Sequence, residues 1–387
     1  MNLAGIEPTA IVEPKDAADI AATVARLYAA QQAFAFVGGA TSLELGNAPR
    51  ALHTVICTTN CASVIDYAPE DQTITVGAGM TIGAVADVLA ANKQFLAIDA
   101  AQPDRMTIGG AIATNRYGRR RLRYGSIKDS IVGIEIVRPD GTRARGGGKV
   151  VKNVAGFDIP KLMVGSLGTL GGIISATFRV FPIEQSAQTI VMRDLPYASV
   201  LRVCERIVAL ALVPVSVVAY ATHGSYDLAV SFEGFERGVA EQVTALQTIA
   251  AEIGSPSMTA TPEEERTFDE RERAVRTTRA WRLTISVPPS DMAEMLTGGG
   301  VGTHEHVVYP LVGAALCATD SFDADMLSMW RERAKRGNVV ASAMPLQARH
   351  GIDTWGEPPP SIELMRSLKS QFDAKGLCNI GRFIGGI

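Results

Sequence analysis

Residues 149–179 read KVVKNVAGFDIPKLMVGSLGTLGGIISATFR, an apolar run punctuated by Gly156, Gly165, Gly168, Gly171 and Gly172. The backbone must turn tightly, or be approached closely, at each of these points. Ser166 and Thr169 add hydroxyls between the glycines, and the run that starts at Ile173 is rich in strand formers. Exposed N–H groups and small hydroxyls beside a strand suit an anionic group lying against a sheet. A glycine-rich hairpin with no ligand would read the same way, so the segment needs company.

Two earlier segments supply it. Residues 34–47, FAFVGGATSLELGN, form a short apolar strand running into Gly38, Gly39, Ala40, Thr41 and Ser42. That arrangement can make a nest of backbone donors for a pyrophosphate. No lysine follows in Walker fashion, which argues against a nucleoside triphosphate. Residues 102–129 then place Pro103, Thr107, Gly109, Gly110, Thr114, Asn115, Gly118, Tyr124 and Gly125 in close order. One glycine loop is weak; three in order over the first half of the chain are strong.

The 387 residues are enough for two cores. No apolar run reaches the roughly 18 residues that span a bilayer, and the start lacks the pattern of a secretory signal. Cys57, Cys61, Cys204, Cys317 and Cys378 make no disulfide framework, so a reducing cytoplasmic setting is expected. Periodicity predicts a helix over 16–32 with Asp16 as N-cap, strands over 52–67 and 72–77, a helix over 82–92, and a hairpin turning at Pro139-Asp140-Gly141. After Pro182 the pattern becomes βαββα, as in a ferredoxin-like layer. A charged helix or linker over 263–279 and further strands near 281–287, 307–310, 313–319 and 339–343 would complete a second layer. A helix over 361–374 would return the chain to the first domain.

Three features compete with this reading. Residues 73–89 have strand, Gly77-x-Gly79, then helix, with Asp99 downstream, as in a nicotinamide-binding fingerprint; but Gly83 falls four positions after Gly79 rather than three. Arg116, Arg119, Arg120, Arg121 and Arg123 could suggest nucleic acid, yet the chain's net charge is −3 and no stacking series accompanies them. A solvated loop or the docking of an acidic partner fits better. His304-Glu305-His306 could chelate a metal on one side of a strand, but a polar surface turn fits as well and no metal is expected.

With these residues in view, the chain resembles the FAD-linked oxidase superfamily of vanillyl-alcohol oxidase and p-cresol methylhydroxylase. The likeness covers roughly residues 10–182 and returns at FDAKGLCNIGR, residues 372–382, which is similar to the family's FDPxGxxNPGR. Ala374 and Ile380 stand where prolines are usual, while Asn379, Gly381 and Arg382 match. Within the superfamily, GGKVVKNVAGFD, LMVGSLGTLG and WRLTISVPPSD are similar to the FAD-binding subunits of glycolate oxidases. Leu167 stands where the larger catalytic subunits and D-lactate dehydrogenases usually have glutamate.

The resemblance implies an α+β fold. A two-subdomain p-cresol methylhydroxylase-type FAD-binding domain would span residues 1–184, a ferredoxin-like α+β cap 185–345, and a returning C-terminal segment 346–387. It implies FAD held by the glycine segments, with Lys152, Asn153, Gly156 and Asn379 added to the residues above. Attachment would be non-covalent, since Ala40 stands where many relatives have a linking histidine. It implies 2-hydroxy-acid oxidation, with Arg282 and Arg382 as carboxylate clamps and His350 as a base that no family motif supports. The HxGDGNxH-like metal motif of catalytic relatives has no counterpart here. A catalytic flavoprotein subunit and an iron–sulfur subunit are therefore the expected partners. Contact with the inner membrane would be peripheral and through them. A self-sufficient flavoenzyme and a non-enzymatic assembly subunit are the alternatives.

Overall fold

The computed structural model describes residues 1–148, 157–297, 302 and 304–387. The chain divides into two compact units. The first comprises Met1–Gly118, Gly125–Ile183 and Arg349–Ile387; the second comprises Arg119–Tyr124 and Glu184–Ala348.

The first unit holds two main sheets. Strands β1 (Ala10–Val12), β2 (Phe34–Val37) and β3 (Thr54–Cys57) make a parallel sheet in the order β1-β3-β2. Strands β4 (Val64–Ala68), β5 (Thr73–Gly77), β7 (Ile131–Val137), β8 (Arg143–Gly147) and β9 (Gly172–Arg179) make an antiparallel one in the order β4-β5-β9-β7-β8, while β6 (Gln94–Phe95) pairs with β10 (Phe181–Pro182). Helix Ala17–Ala29 starts where Asp16 accepts hydrogen bonds from the N–H groups of Ala18 and Asp19, at 2.8 and 2.9 Å. It buries Ile20, Val24 and Leu27, at i, i+4 and i+7, against Phe34, Ile56, Val137 and Ile174, so one stripe joins both sheets.

The strand predicted over 52–67 is two strands. Thr58 N–H donates to Val37 O and Cys61 N–H to Thr58 O, which turns the chain from one sheet to the other. This turn also explains the nicotinamide-like glycines. A Cβ on Gly77 would lie 2.1 Å from Cys61 O, and one on Gly79 would lie 2.3 Å from Thr58 O. Both positions lack a side chain to let this turn pack. Moreover β5 runs antiparallel to its neighbours β4 and β9, unlike the parallel strand that opens a dinucleotide-binding βαβ unit.

The second unit is one eight-stranded sheet rather than two layers. Its strands are β11 (Ser186–Leu195), β12 (Ser216–Ala221), β13 (Tyr226–Gly234), β14 (Ser257–Thr259), β15 (Trp281–Ser286), β16 (Glu305–Tyr309), β17 (Ala314–Thr319) and β18 (Asn338–Ala343). Each half runs βαββαβ. The order β14-β11-β13-β12 of the first half mirrors β18-β15-β17-β16 of the second. Antiparallel pairing of β12 with β16 joins the halves edge to edge, so neither inner edge is left open. The charged stretch is a helix, Pro262–Thr277, begun by a capping box in which Thr261 and Glu264 exchange bonds. No helix among the described residues is long and apolar enough to cross a membrane.

The C-terminal segment of the first unit adds to its parallel sheet. Phe34 N–H donates to Leu377 O at 2.9 Å, and Asn379 N–H donates to Phe34 O at 2.7 Å. Lys369, on helix Ile362–Phe372, is buried, and its ammonium donates to Asp373 Oδ2 (2.6 Å), Thr169 O (2.7 Å) and Cys378 O (2.8 Å).

Candidate functional site

A groove in the first unit gathers the glycine segments. Residues 38–43 form one wall; Gly109, Gly110, Ala113 and Thr114 another; Leu167, Gly168, Gly171 and Ile173 a third, with Asn379 and Arg382 between.

The first wall begins where β2 ends. Ala40 takes a left-handed φ of 56°, and among the described residues the N–H groups of Ala40, Thr41 and Ser42 meet no hydrogen-bond acceptor. Consecutive unpaired donors around a left-handed residue make an anion nest. Gly39 must be glycine, because a Cβ there would lie 1.6 Å from Arg105 O; one on Gly38 would lie 2.1 Å from Thr107 Oγ1. Thr107 is buried beneath this wall. Its hydroxyl accepts from Gly110 N–H at 3.3 Å, capping helix Ile108–Thr114, and from Gly39 N–H at 3.4 Å. Thr107→Val is therefore expected to cost about 1 kcal/mol, the usual loss for an N-cap, in urea unfolding followed by circular dichroism.

The turn over 163–171 closes the opposite side. Gly165, Leu167, Gly168 and Gly171 all have positive φ. The turn docks on the end of helix Ile108–Thr114 through Gly165 N–H to Ile112 O and Leu167 N–H to Ala113 O, at 2.9 and 2.8 Å. Thr169 Oγ1 donates to Ser166 O at 2.7 Å, and Asn379 Nδ2 donates to Leu167 O. Two buried atoms of groove-lining residues, Asn379 Oδ1 and Arg382 Nε, lack a partner among the described residues, as do Asn115 Oδ1 and Ser166 Oγ, whose residues are outside the lining but next to Thr114 and Leu167 in the chain. Buried polar atoms are normally paired, so these mark where a polar ligand would complete the site.

Arg382 departs from the open clamp expected of it. It is 2% exposed, and its guanidinium donates to Leu43 O (3.1 Å), Leu45 O (2.5 Å) and Asn47 O (3.2 Å). Arg349 takes the alternate carbonyls, Glu44 O (2.6 Å) and Gly46 O (2.9 Å). Burial, with the charge of Arg349, pushes the Arg382 guanidinium down to about 9, still protonated at neutral pH. Nothing in the sequence pointed to Arg349, Asn47 or Trp355, which brace this corner. Asn47 Oδ1 accepts from Thr354 N–H at 2.7 Å, and Trp355 Nε1 donates to Arg382 O at 2.9 Å.

Other expected residues lie elsewhere. Pro103 is outside the groove lining; its carbonyl accepts from Gly83 N–H. Gly125 makes the turn before Ser126, with a φ of 75° and Asp129 packed against it. Tyr124 belongs to the second unit; its hydroxyl lies 3.5 Å from Glu233, and burial with that carboxylate pushes its pKa up to about 12. His350 is exposed in the turn after Arg349 and does not line the groove, so the expected base is not brought to it. Arg282 sits half-buried on β15, where desolvation lowers its pKa. Lys152, Asn153 and Gly156 lie outside the described residues.

His306 is buried and hydrogen-bonded to Tyr226 Oη (3.0 Å) and to His304 O (2.7 Å), so burial holds its pKa low and its ring is already engaged. Among the described residues no group of histidine, cysteine and carboxylate side chains is placed to hold a metal.

Residues 8–147 match the family described as an FAD binding domain. D-2-hydroxyglutarate dehydrogenase of Xanthomonas citri pv. viticola is 34% identical over 45% of this chain and 37% of its own length. Glycolate oxidase subunit GlcD of Bacillus subtilis is 22% identical over 97% of this chain and 88% of its own. Glycolate oxidase subunit GlcE of Escherichia coli is 34% identical over 31% of this chain and 34% of its own. The chain thus spans little more than a third of two of these relatives and most of the other. Among solved structures, alkyldihydroxyacetonephosphate synthase superposes with a TM-score of 0.72, covering 97% of this chain and 76% of that one at 16% identity, a likeness of fold.

Proposed function

We propose that this chain, a member of the FAD-linked oxidase superfamily and so an FAD-dependent oxidoreductase, serves as the FAD-binding subunit of a glycolate oxidase-like complex that oxidises 2-hydroxy acids. The observation that carries the reading is the groove itself: it is lined by a nest of free donors, by two glycine walls that exclude side chains, and by Asn379 and Arg382, each with a buried polar atom that lacks a partner among the described residues. The donor set fits FAD. The N–H groups of Ala40, Thr41 and Ser42 would hold its diphosphate. The hydroxyl of Ser166 and the amides of Asn115 and Asn379 would hold its polar edges.

When bound, FAD supplies a two-electron acceptor for the hydrogen on the α-carbon of a 2-hydroxy acid. Arg282 is the residue of this chain proposed to hold the acid's carboxylate through a bidentate contact. No residue is assigned as the base that takes the hydroxyl proton. The relatives named glycolate oxidase subunits support work within a complex. In it, a catalytic flavoprotein chain and an iron–sulfur chain would act beside this one. Ala40, in the nest, offers no group for a covalent flavin link, so non-covalent FAD is proposed.

The purified chain should show the absorption of bound flavin, yet turn over neither glycolate nor D-lactate with a dye acceptor until its partner chains are added. Clear turnover by the chain alone would replace the subunit reading with a self-sufficient enzyme. A colourless protein that takes up no FAD would leave only an assembly role.

A further inference from the structure

Residues 43–47 follow the nest directly, and their five successive carbonyls are all taken by two arginines in strict alternation. Arg382 donates to those of Leu43, Leu45 and Asn47; Arg349 donates to those of Glu44 and Gly46. Charge-assisted bonds are the stronger kind, and five of them hold this one short loop. The grip is itself braced. Asn47 N–H and Trp355 Nε1 both donate to Arg382 O at 2.9 Å, which fixes where the arginine's own backbone sits. Gly46, with a φ of 87°, has no room for a side chain: a Cβ would lie 2.6 Å from both Arg382 O and Leu167 Cδ2. The loop is therefore locked between the C-terminal segment and the turn over 163–171, on both flanks of the groove.

The placement of the bonds matters as much as their number. Guanidinium groups that hold the carbonyls of 43–47 restrain the peptide planes of a loop continuous with Ala40, Thr41 and Ser42. The N–H groups of those residues remain without acceptors and line the groove. Arg382 also lines the groove, and its Nε is buried without a partner.

We propose that Arg349 and Arg382 are positioning residues for the cofactor's diphosphate: by holding the carbonyls of residues 43–47 they preset the nest, so that affinity for the cofactor depends on the C-terminal segment. The proposal rests on the groove being the FAD site. It goes beyond that reading in assigning control of affinity to a residue, Arg349, that does not line the groove. A preorganised nest binds without the cost of ordering its donors at the moment of binding. The two cations also lend positive potential to a site for an anion.

The test uses the full chain after removal of its flavin. Arg349→Lys keeps the charge but loses the planar fork whose two separate nitrogens meet Gly46 O and Glu44 O. It is expected to weaken FAD binding at least tenfold by fluorescence titration. Amide hydrogen exchange over residues 40–47 should quicken, while the rest of the first unit exchanges as in wild type. Trp355→Phe, which removes the bond to Arg382 O while keeping an aromatic ring beside Phe383, should move both readouts in the same direction and by less; it replaces Arg349→Lys if that variant does not fold. Unchanged FAD affinity in a folded variant would overturn the proposal. So would weakened affinity with exchange over 40–47 unaltered, because the arginine would then act by another route. Wild-type protein that fails to rebind FAD would instead refute the cofactor site itself.

Discussion

Gly39→Ala is expected to yield a folded, full-length protein that purifies with less bound flavin and takes up FAD more weakly. The added methyl would be built 1.6 Å from the Arg105 carbonyl oxygen and 2.7 Å from its carbon. Backbone atoms cannot swing aside as the end of a long side chain can. Either residue 39 or the 103–106 segment must move, and that segment is pinned by Ile82 N–H to Met106 O and Gly83 N–H to Pro103 O, both 2.9 Å. The nest would therefore yield first. Overpacking of this kind costs roughly 1–3 kcal/mol. If that cost falls on the bound state it amounts to about a 5- to 150-fold loss of affinity. The ratio of flavin to protein absorbance reads the effect. Gly238→Ala is the control: it lies in helix Glu236–Glu252 with nothing within 4 Å of its Cβ, and should stabilise the protein by about 0.5–1 kcal/mol. If Gly39→Ala retained flavin with wild-type affinity, the nest would not be the cofactor's anchor.

Lys369→Met should produce the largest loss of stability. The ammonium is buried and fully engaged by Asp373 Oδ2, Thr169 O and Cys378 O. Asp373, 2% exposed, also accepts from the N–H groups of Cys378 and Leu377 at 2.8 and 3.1 Å. Methionine would fill the stem's volume but strand a buried carboxylate and two carbonyls. Breaking a buried pair by removing one partner costs about 3–5 kcal/mol. For a unit of this size, that lowers the midpoint of thermal unfolding by roughly 6–20 °C. The amine also fixes Thr169 O in the turn over 163–171, so weaker flavin retention should accompany the lower midpoint. Replacing Asp373 by leucine in the same chain removes the stranded charge, and part of the loss should return. A single variant with wild-type stability would mean that the pair contributes nothing.

The parts of the fold that announced themselves in the sequence are those governed by neighbours along the chain. Asp16 caps its helix, Ile20, Val24 and Leu27 face inward at helical spacing, and Asp140 accepts from Thr142 N–H at 2.8 Å beside Gly141 with φ of 88°, because these depend on a few adjacent residues. The glycine walls were legible for a related reason: side chains must be absent where backbones meet, and glycine is the only residue that records this. What stayed hidden depends on residues far apart. Arg349 and Arg382 grip carbonyls some 300 residues earlier, and a backbone carbonyl leaves no mark in the sequence. The edge-to-edge joining of β12 and β16 is equally silent, since a strand's alternation reads the same beside either neighbour. Arg382 was visible as a charged residue in a motif, but charge alone does not say whether its donors face a ligand or the chain's own backbone.

The order in which the chain is made bears on the C-terminal segment. Residues 38–43, 109–114 and 167–173 leave the ribosome early, yet the groove they line is completed by Asn379 and Arg382, which follow the whole of the second unit. Domains generally fold as units during synthesis, and contacts of such sequence separation form late. A nascent chain that has not yet released residues 349–387 thus has the glycine segments of the groove but neither Asn379 nor Arg382. On the proposed reading of the groove, cofactor capture would follow synthesis of the second unit, and a chain ending after that unit is expected to bind flavin weakly and to leave Phe34 without its Leu377 and Asn379 partners.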